Sequence, residues 1–337
     1  MSHDLGLLTV VAHHIVVIDG GHTVGTGAPD QALRAPLATL TRRLVRARDL
    51  GTALAATGLP RPAAPGSPLH ELPPHPDHGG PMTDRTAAGG AAASQDDARA
   101  VLDSLPGTLP RDEILAINSS ASDIHTTRTY EYNGWAFTLP PGVFKPGDTS
   151  RIVHDRLLDG TIPVKGRSYA AMGVGLGVEA VIAGTLGARE IYAADVHPDS
   201  VATAAEHYRR IVGDRPDTVF RPLVSNLFEE FPDSPRLDVI TFNPPAVSTR
   251  TSDDPTVVRN VCVGAEIVTR FFDQIVTRDL LAPGGEIYLI VSNTAELKRI
   301  VGYGMDAGFR PEILHRQTWE GDDCQAYLFK LIRHDAA

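Results

Sequence analysis

Cysteine is nearly absent from this chain: Cys262 and Cys324 are the only two in 337 residues. They lie 62 residues apart and form no CxxC or Cys/His cluster, which excludes a disulfide framework and leaves no structural zinc site or other metal centre in view. Both are expected to be reduced core thiols. Basic charge is also scarce. Lys and Arg number 31 against 41 Asp and Glu, a net charge of −10 with His neutral. Broad contact with a phosphate backbone needs the opposite balance, so nucleic acid is the less favoured partner. No apolar run approaches the ~20 residues of a membrane span, so no membrane partner is expected. Residues 1–6 carry no basic stretch ahead of an apolar one, so no signal peptide is read and the expected compartment is the cytoplasm. Internal repeats are lacking as well. What is abundant is apolar side chain, 42% of the total, enough for a substantial core in one large or two ordinary domains.

Composition divides the chain. Residues 1–50 hold an apolar run over 7–18, a turn at Asp19-Gly20-Gly21 and a helical pattern over 31–50. Residues 51–95 read as a linker, with eight prolines between Pro60 and Pro81, then Gly89-Gly90 and an alanine run. From about Asp96 the pattern is that of a continuous globular domain. Helices are expected over 97–104, 111–118, 149–158, 178–186, 198–212, 265–280 and 295–307. A strand or hairpin is expected over 131–139. Further strands are expected over 168–172, 190–195, 218–224, 237–242, 285–291, 311–317 and 325–333. Apolar strands alternating with amphipathic helices imply an α/β fold with a doubly wound, mostly parallel sheet of seven strands. The last two strands have no crossover helix between them and should form an antiparallel C-terminal hairpin.

Gly173-Val174-Gly175-Leu176-Gly177 directly succeeds the first of these sheet strands and opens a helix. Glycine lets backbone turn tightly and approach a ligand with no Cβ in the way. In such sheets ligands bind beyond the carboxyl ends of the strands, at the point where strand order reverses. Asp195 ends the second strand, where a carboxylate can accept hydrogen bonds from both hydroxyls of a ribose; capping of the next helix is its structural alternative. Both features suit any adenosine ligand, NAD included, although Val178 stands where a GxGxxG fingerprint wants Gly or Ala.

Asn243-Pro244-Pro245, after the strand 237–242, separates those readings. Here the sequence resembles the class I S-adenosylmethionine-dependent methyltransferases with an Asn-Pro-Pro-(Tyr/Phe) motif, the group that includes the release-factor glutamine methyltransferases. The resemblance spans about 200 residues, from Val143 to Arg333. It implies a Rossmann-like methyltransferase fold and S-adenosyl-L-methionine as cofactor. The cofactor would be held by Gly173, Gly175, Gly177, Asp195, Asn226, Leu227 and Asn243. Asn243, Pro244 and Pro245 would be catalytic. An amide or aryl amine nitrogen is a poor nucleophile. The Asn243 side-chain carbonyl and the next backbone carbonyl would accept from its NH₂ and aim the lone pair at the methyl, with the prolines holding those acceptors still. Phe144, Pro146 and Thr149 resemble the segment lining the pocket ahead of the first motif helix, and Ala246 falls in the substrate position. Asp148 or Thr149 could equally cap that helix.

Three departures from the group stand out. Ala171 replaces an acid two residues before the first glycine. Asn226 replaces an Asp expected to meet the adenine amine, although Asn can still accept through its carbonyl. Ala246 replaces an aromatic ring, which would remove about 1–3 kcal/mol of stacking on a planar base. The acceptor is therefore expected to be a small molecule or a protein amide, methylated on nitrogen. Methylation of oxygen or carbon, and a non-catalytic module that binds the cofactor, stand as alternatives. Residues 149–337 would form the methyltransferase domain and 96–148 the part that recognises the acceptor.

A second resemblance covers residues 5–50. Thr9-Val10-Val11-Ala12-His13, Ile15-Val16-Val17-Ile18-Asp19-Gly20-Gly21 and Gly25-Thr26-Gly27-Ala28-Pro29 are similar to the tail of an ABC-transporter ATPase domain, where a hairpin leads to a final helix. The phosphate-binding loop and its Lys are missing, so ATPase activity is not implied. Residues 1–81 are read as a fusion remnant or over-extended start, with Met82 the expected true beginning, or alternatively as a βα extension of the main domain.

Overall fold

The computed structural model describes the backbone of residues 9–11, 14–19 and 22–27, and residues 95–118, 123–233, 236–319 and 323–333. Two compact units divide the chain, Met1–Thr86 and Ala87–Ala337. In the first, strands β1 (Thr9–Val11), β2 (His14–Asp19) and β3 (His22–Gly27) form an antiparallel sheet in that order. Asp19 pairs with His22, so the hairpin closes where the Asp-Gly-Gly sequence asks for it. His13, the helical pattern over 31–50 and the linker as far as residue 94 lie outside the described residues.

The second unit begins with helices α1 (Gln95–Ser104) and α2 (Arg111–Ile117). A hairpin comes next, β4 (Arg128–Tyr132) and β5 (Trp135–Leu139), in full antiparallel register. Asn133 and Gly134 form its tip, both at positive φ, as a tight two-residue turn requires. The chain continues through α3 (Asp148–Leu158), β6 (Ser168–Met172), α4 (Val178–Leu186), β7 (Glu190–Asp195), α5 (Pro198–Ile211), β8 (Val219–Val224) and β9 (Leu237–Phe242). It ends with α6 (Pro255–Val261), α7 (Glu266–Thr277), β10 (Leu281–Ser292), α8 (Leu297–Asp306), β11 (Phe309–Thr318) and β12 (Gln325–Arg333).

Strands β6 to β12 make one seven-stranded sheet in the order β11-β12-β10-β9-β6-β7-β8. It is doubly wound and Rossmann-like. The chain runs outward from β6 through β7 to β8, returns to the other side of β6 as β9, and continues through β10. All these pairings are parallel. β12 runs antiparallel to both β10 and β11 and wedges between them, so the expected C-terminal hairpin closes the sheet edge.

The centre of the sheet explains its sequence. Every residue of β6 is buried, so Ser168–Met172 shows no alternation. One face is covered by α7 and α8, with Phe271, Phe272, Ile275, Ile300 and Val301 in the core; α3 and α4 cover the other, through Val153, Leu157, Val181 and Ile182. Truncating a buried phenylalanine such as Phe271 to Ala should destabilise the fold by about 3–5 kcal/mol.

Helix α6 is not among the sequence expectations. Seven residues are too few for periodicity to show, but its local signals are sound. Asp254 caps it by accepting from Thr256 N at 2.8 Å, and Pro255 opens it. The expected cap of α3 is absent. Its N-cap is Gly147, with no side-chain cap, and Asp148 is already helical.

Candidate active site

Strand order reverses between the parallel neighbours β6 and β9, and these strands end side by side, Met172 opposite Phe242. The glycine turn after β6 and the Asn-Pro-Pro loop after β9 are therefore placed together beyond the carboxyl edge. There a cleft of about 720 Å³ opens, within the size range of small-ligand sites. Its lining brings together Gly173, Gly175, Asp195, Asn226, Leu227, Asn243, Pro244, Pro245, Ala246, Phe144, Pro146 and Thr149, twelve of the thirteen residues singled out from sequence.

Gly177 is the exception. At φ +90° it ends the turn, but a Cβ on it would stand 2.8 Å from Ala204 Cα. It is small so that α4 and α5 can meet, a packing role and not a wall of the cleft. Gly175, in contrast, has open space around it and φ +51°, so its requirement is conformational. Val174 N donates to Ala194 O at 2.9 Å, tying the turn to β7.

Asp195 ends β7 and holds the turn from the other side. Its Oδ2 accepts from Gly175 N at 3.0 Å and its Oδ1 from His197 N at 2.9 Å. It does not cap α5, whose N-cap is His197. Burial pushes its carboxyl above the usual range, and the two backbone donors pull the other way. After β8, Leu227 adopts φ +58°, a left-handed conformation unusual for a leucine. Ser225 Oγ braces that bend by donating to Leu227 O at 2.8 Å and accepting from Glu230 N at 3.1 Å. Asn226 Nδ2 donates to Glu229 Oε1 at 2.8 Å, and its Oδ1 has no hydrogen-bond partner among the described residues.

The loop after β9 is held by more than its prolines. Pro245 O accepts from Val263 N at 2.7 Å and Gly264 N at 3.2 Å, while Ala246 pairs with Cys262 across a single antiparallel bridge. Pro244 O accepts from Ala246 N at 2.7 Å, so one of its two lone pairs is already engaged. Ala246 is 3% exposed and packs into the core, so it closes the back of the cleft. Asn243 Nδ2 donates to Ser150 Oγ at 3.1 Å. Its Oδ1 has no partner among the described residues and is available as an acceptor.

Sequence reasoning missed several cleft residues. Ser150 stands 93 positions from the asparagine it meets. His154, one turn further along α3, also lines the cleft; it is buried, and its Nδ1 has no hydrogen-bond partner. Burial, and secondarily Arg151, lowers its pKa to about 3. Spacing of i and i+4 on an expected helix could have linked these two. Glu179, an acid in the otherwise apolar α4, was a legible signal. Arg259 and Asn260 of α6 and Trp319 after β11 also line the cleft, and nothing local in the sequence points them there.

No protein-family model and no curated protein sequence matches the chain. Solved structures do. The 16S rRNA guanosine methyltransferase of T. Thermophilus, solved with AdoMet and guanosine, is 19% identical with a TM-score of 0.46, over 62% of this chain and 50% of its own. The Mtq2–Trm112 complex of E. cuniculi, which methylates a translation termination factor, is 18% identical with a TM-score of 0.42, over 57% and 99%. The N-methyltransferase NodS of Bradyrhizobium japonicum is 13% identical with a TM-score of 0.40, over 57% and 100%. Likeness at this level carries no argument about activity, and chemistry has to come from the cleft itself.

Proposed function

We propose that this chain is an S-adenosylmethionine-dependent methyltransferase that methylates an amide or amine nitrogen on a small molecule or a protein. The observation that carries this reading is the meeting of the glycine turn, Asp195 and Asn243-Pro244 in one cleft at the switch point of the sheet. Two details fit the cofactor. Asp195 spends only one lone pair of each oxygen on backbone, leaving both oxygens able to accept from a ribose diol. The turn at Gly173 and Gly175 keeps left-handed backbone, φ +67° and +51°, that residues with a Cβ rarely adopt. NAD fits less well, because Val178 stands where its GxGxxG fingerprint wants Gly or Ala.

The cofactor, when bound, supplies an electrophilic methyl group on a sulfonium. The chain's own part is chiefly orientation. With Nδ2 engaged by Ser150, Asn243 offers Oδ1 to one proton of the acceptor's NH₂. Pro244 O offers its remaining lone pair to the other. The two acceptors fix the nitrogen lone pair, and the Val263, Gly264 and Cys262 contacts keep them from yielding. Pre-alignment of this kind supplies about 7–11 kcal/mol in favourable cases. Asn226, with Oδ1 unengaged among the described residues, would accept from an adenine amine, and Leu227 would pack against the ring. In this reading 149–337 is the catalytic domain, and Phe144 and Pro146 carry acceptor recognition into it from the 96–148 segment.

The test is a thermal shift. S-adenosylhomocysteine should raise the melting temperature by mass action, and NAD should not. A shift with NAD alone would reject the proposal.

A further inference from the structure

Glu179 is the second residue of α4 and its one charged side chain. Its carboxylate lines the cleft directly after the glycine turn. Oε2 accepts from Tyr169 OH at 3.1 Å and from Thr241 Oγ1, and those two hydroxyls are themselves 2.6 Å apart. Oε1 has no hydrogen-bond partner, and no Lys, Arg or His pairs with Glu179 among the described residues.

This placement relates to a gap nearby. Thr241 is the cross-strand partner of Ala171, and Tyr169 lies two residues before Ala171 on the same face of β6. A carboxylate that reaches from α4 to both hydroxyls therefore sits over Ala171. It occupies the ground an acid at position 171 would have taken. Burial favours the protonated form, and the two hydroxyl donors oppose it. A carboxylate so enclosed, with no protein cation beside it, is satisfied by a positive charge brought by a ligand.

We infer that Glu179 is the anionic contact for the cationic amino-acid end of the cofactor, delivered from helix α4 in place of the missing strand acid. Tyr169 and Thr241 are positioning residues that hold Oε2 and leave Oε1 to the ligand. The inference rests on the methyltransferase reading. It adds that affinity depends on the ligand's amino-acid end and not on the nucleoside alone.

Calorimetry with two ligands tests it: S-adenosylhomocysteine, which carries the α-ammonium, and 5′-methylthioadenosine, which lacks it. Glu179→Gln should weaken S-adenosylhomocysteine about tenfold or more and change 5′-methylthioadenosine by less than about twofold, as loss of one charge-assisted contact implies. Retained 5′-methylthioadenosine binding also shows that the variant is folded. Tyr169→Phe is the second variant, removing one donor and keeping the ring. It should weaken S-adenosylhomocysteine about two- to fivefold, again selectively. Equal losses for both ligands, or no loss in either variant, overturn the inference while the cofactor reading stands. If the unaltered chain binds neither ligand, both fall together.

Discussion

The two walls of the cleft are built in different ways. The proposed nucleoside wall is local: the glycine turn, Asp195 and Asn226-Leu227 each lie at or just after the end of a strand in the same half-sheet, and hydrogen bonds tie them together. The proposed acceptor wall is assembled from afar. Asn243 is braced by Ser150 from α3, its loop is bound to the residues after α6, and Trp319 arrives from the C-terminal hairpin. A wall made of contiguous turns can tolerate drift in side chains. A wall made of distant contacts is where one enzyme of this architecture can differ from another.

The largest expected effect breaks the nucleoside wall. Gly175→Val forces a β-branched residue to φ +51° and projects it into the cleft. The thermal shift with S-adenosylhomocysteine should vanish while the protein still unfolds cooperatively. A retained shift would mean the ligand does not approach this turn. Next in size is Asn243→Ala, on the other wall. Turnover of the true acceptor should fall about 10²-fold or more, comparable to losing one preorganised polar contact to a reacting group. S-adenosylhomocysteine affinity should fall far less, because Asp195 and the turn remain. Wild-type turnover in this variant would demote Asn243 to a turn residue and make oxygen or carbon the better acceptor atom.

The same contrast explains what could be read from the sequence. The seven-stranded sheet, its antiparallel end and the nucleoside wall come from contiguous patterns: apolar runs of strand length, a glycine turn, an acid at a strand end. Asn243-Pro244-Pro245 was equally plain. Ser150, His154 and Trp319 were not, because their role exists only once α3 and the β11–β12 hairpin are folded beside β9. Gly177 illustrates the same point: expected from sequence as a cofactor contact, it sits in the structure where α4 meets α5. Its neighbour Ala204 belongs to α5, beyond the intervening β7, and the turn pattern alone cannot tell a ligand contact from a helix contact. Helix α6 escaped because seven residues carry no periodicity, although Asp254-Pro255 announced its start.

A third prediction concerns pH. His154 is buried, neutral and held at about 3, against 6.5 for a free histidine. Proton counts give the sign. Below pH 6.5 the unfolded chain binds a proton there that the folded chain refuses. Stability from this residue is therefore complete above pH 6.5 and declines as pH falls towards 3. Between pH 7 and pH 5 the loss should be about 2 kcal/mol. His154→Phe removes the titration and keeps a ring against Tyr132, which now meets the imidazole edge-on at 5.1 Å. The stability difference between the two proteins, measured by urea unfolding, should grow by that amount on acidification. Glu179 and Asp195 titrate in both and cancel. A difference that stays flat with pH would show that His154 takes up its proton as readily in the fold as in the unfolded chain.

The smallest effect is the most selective, because it tests whether the walls are separable. Ser150 touches Asn243 Nδ2 and is 7% exposed. Ser150→Ala leaves that amide group free to turn, so Oδ1 is no longer held towards the acceptor. Losing one hydrogen bond of this kind should cost about 1 kcal/mol, roughly fivefold in kcat/KM. Because Ser150 acts through Asn243, the effects should not add. In the double variant Ser150→Ala/Asn243→Ala, turnover should match that of Asn243→Ala alone, the signature of residues working as one unit. S-adenosylhomocysteine affinity should be unchanged in Ser150→Ala, since nothing on the nucleoside wall has moved. Additive losses would mean that Ser150 touches the acceptor itself. A drop in cofactor affinity would mean that α3 belongs to both walls, and the division between them would dissolve.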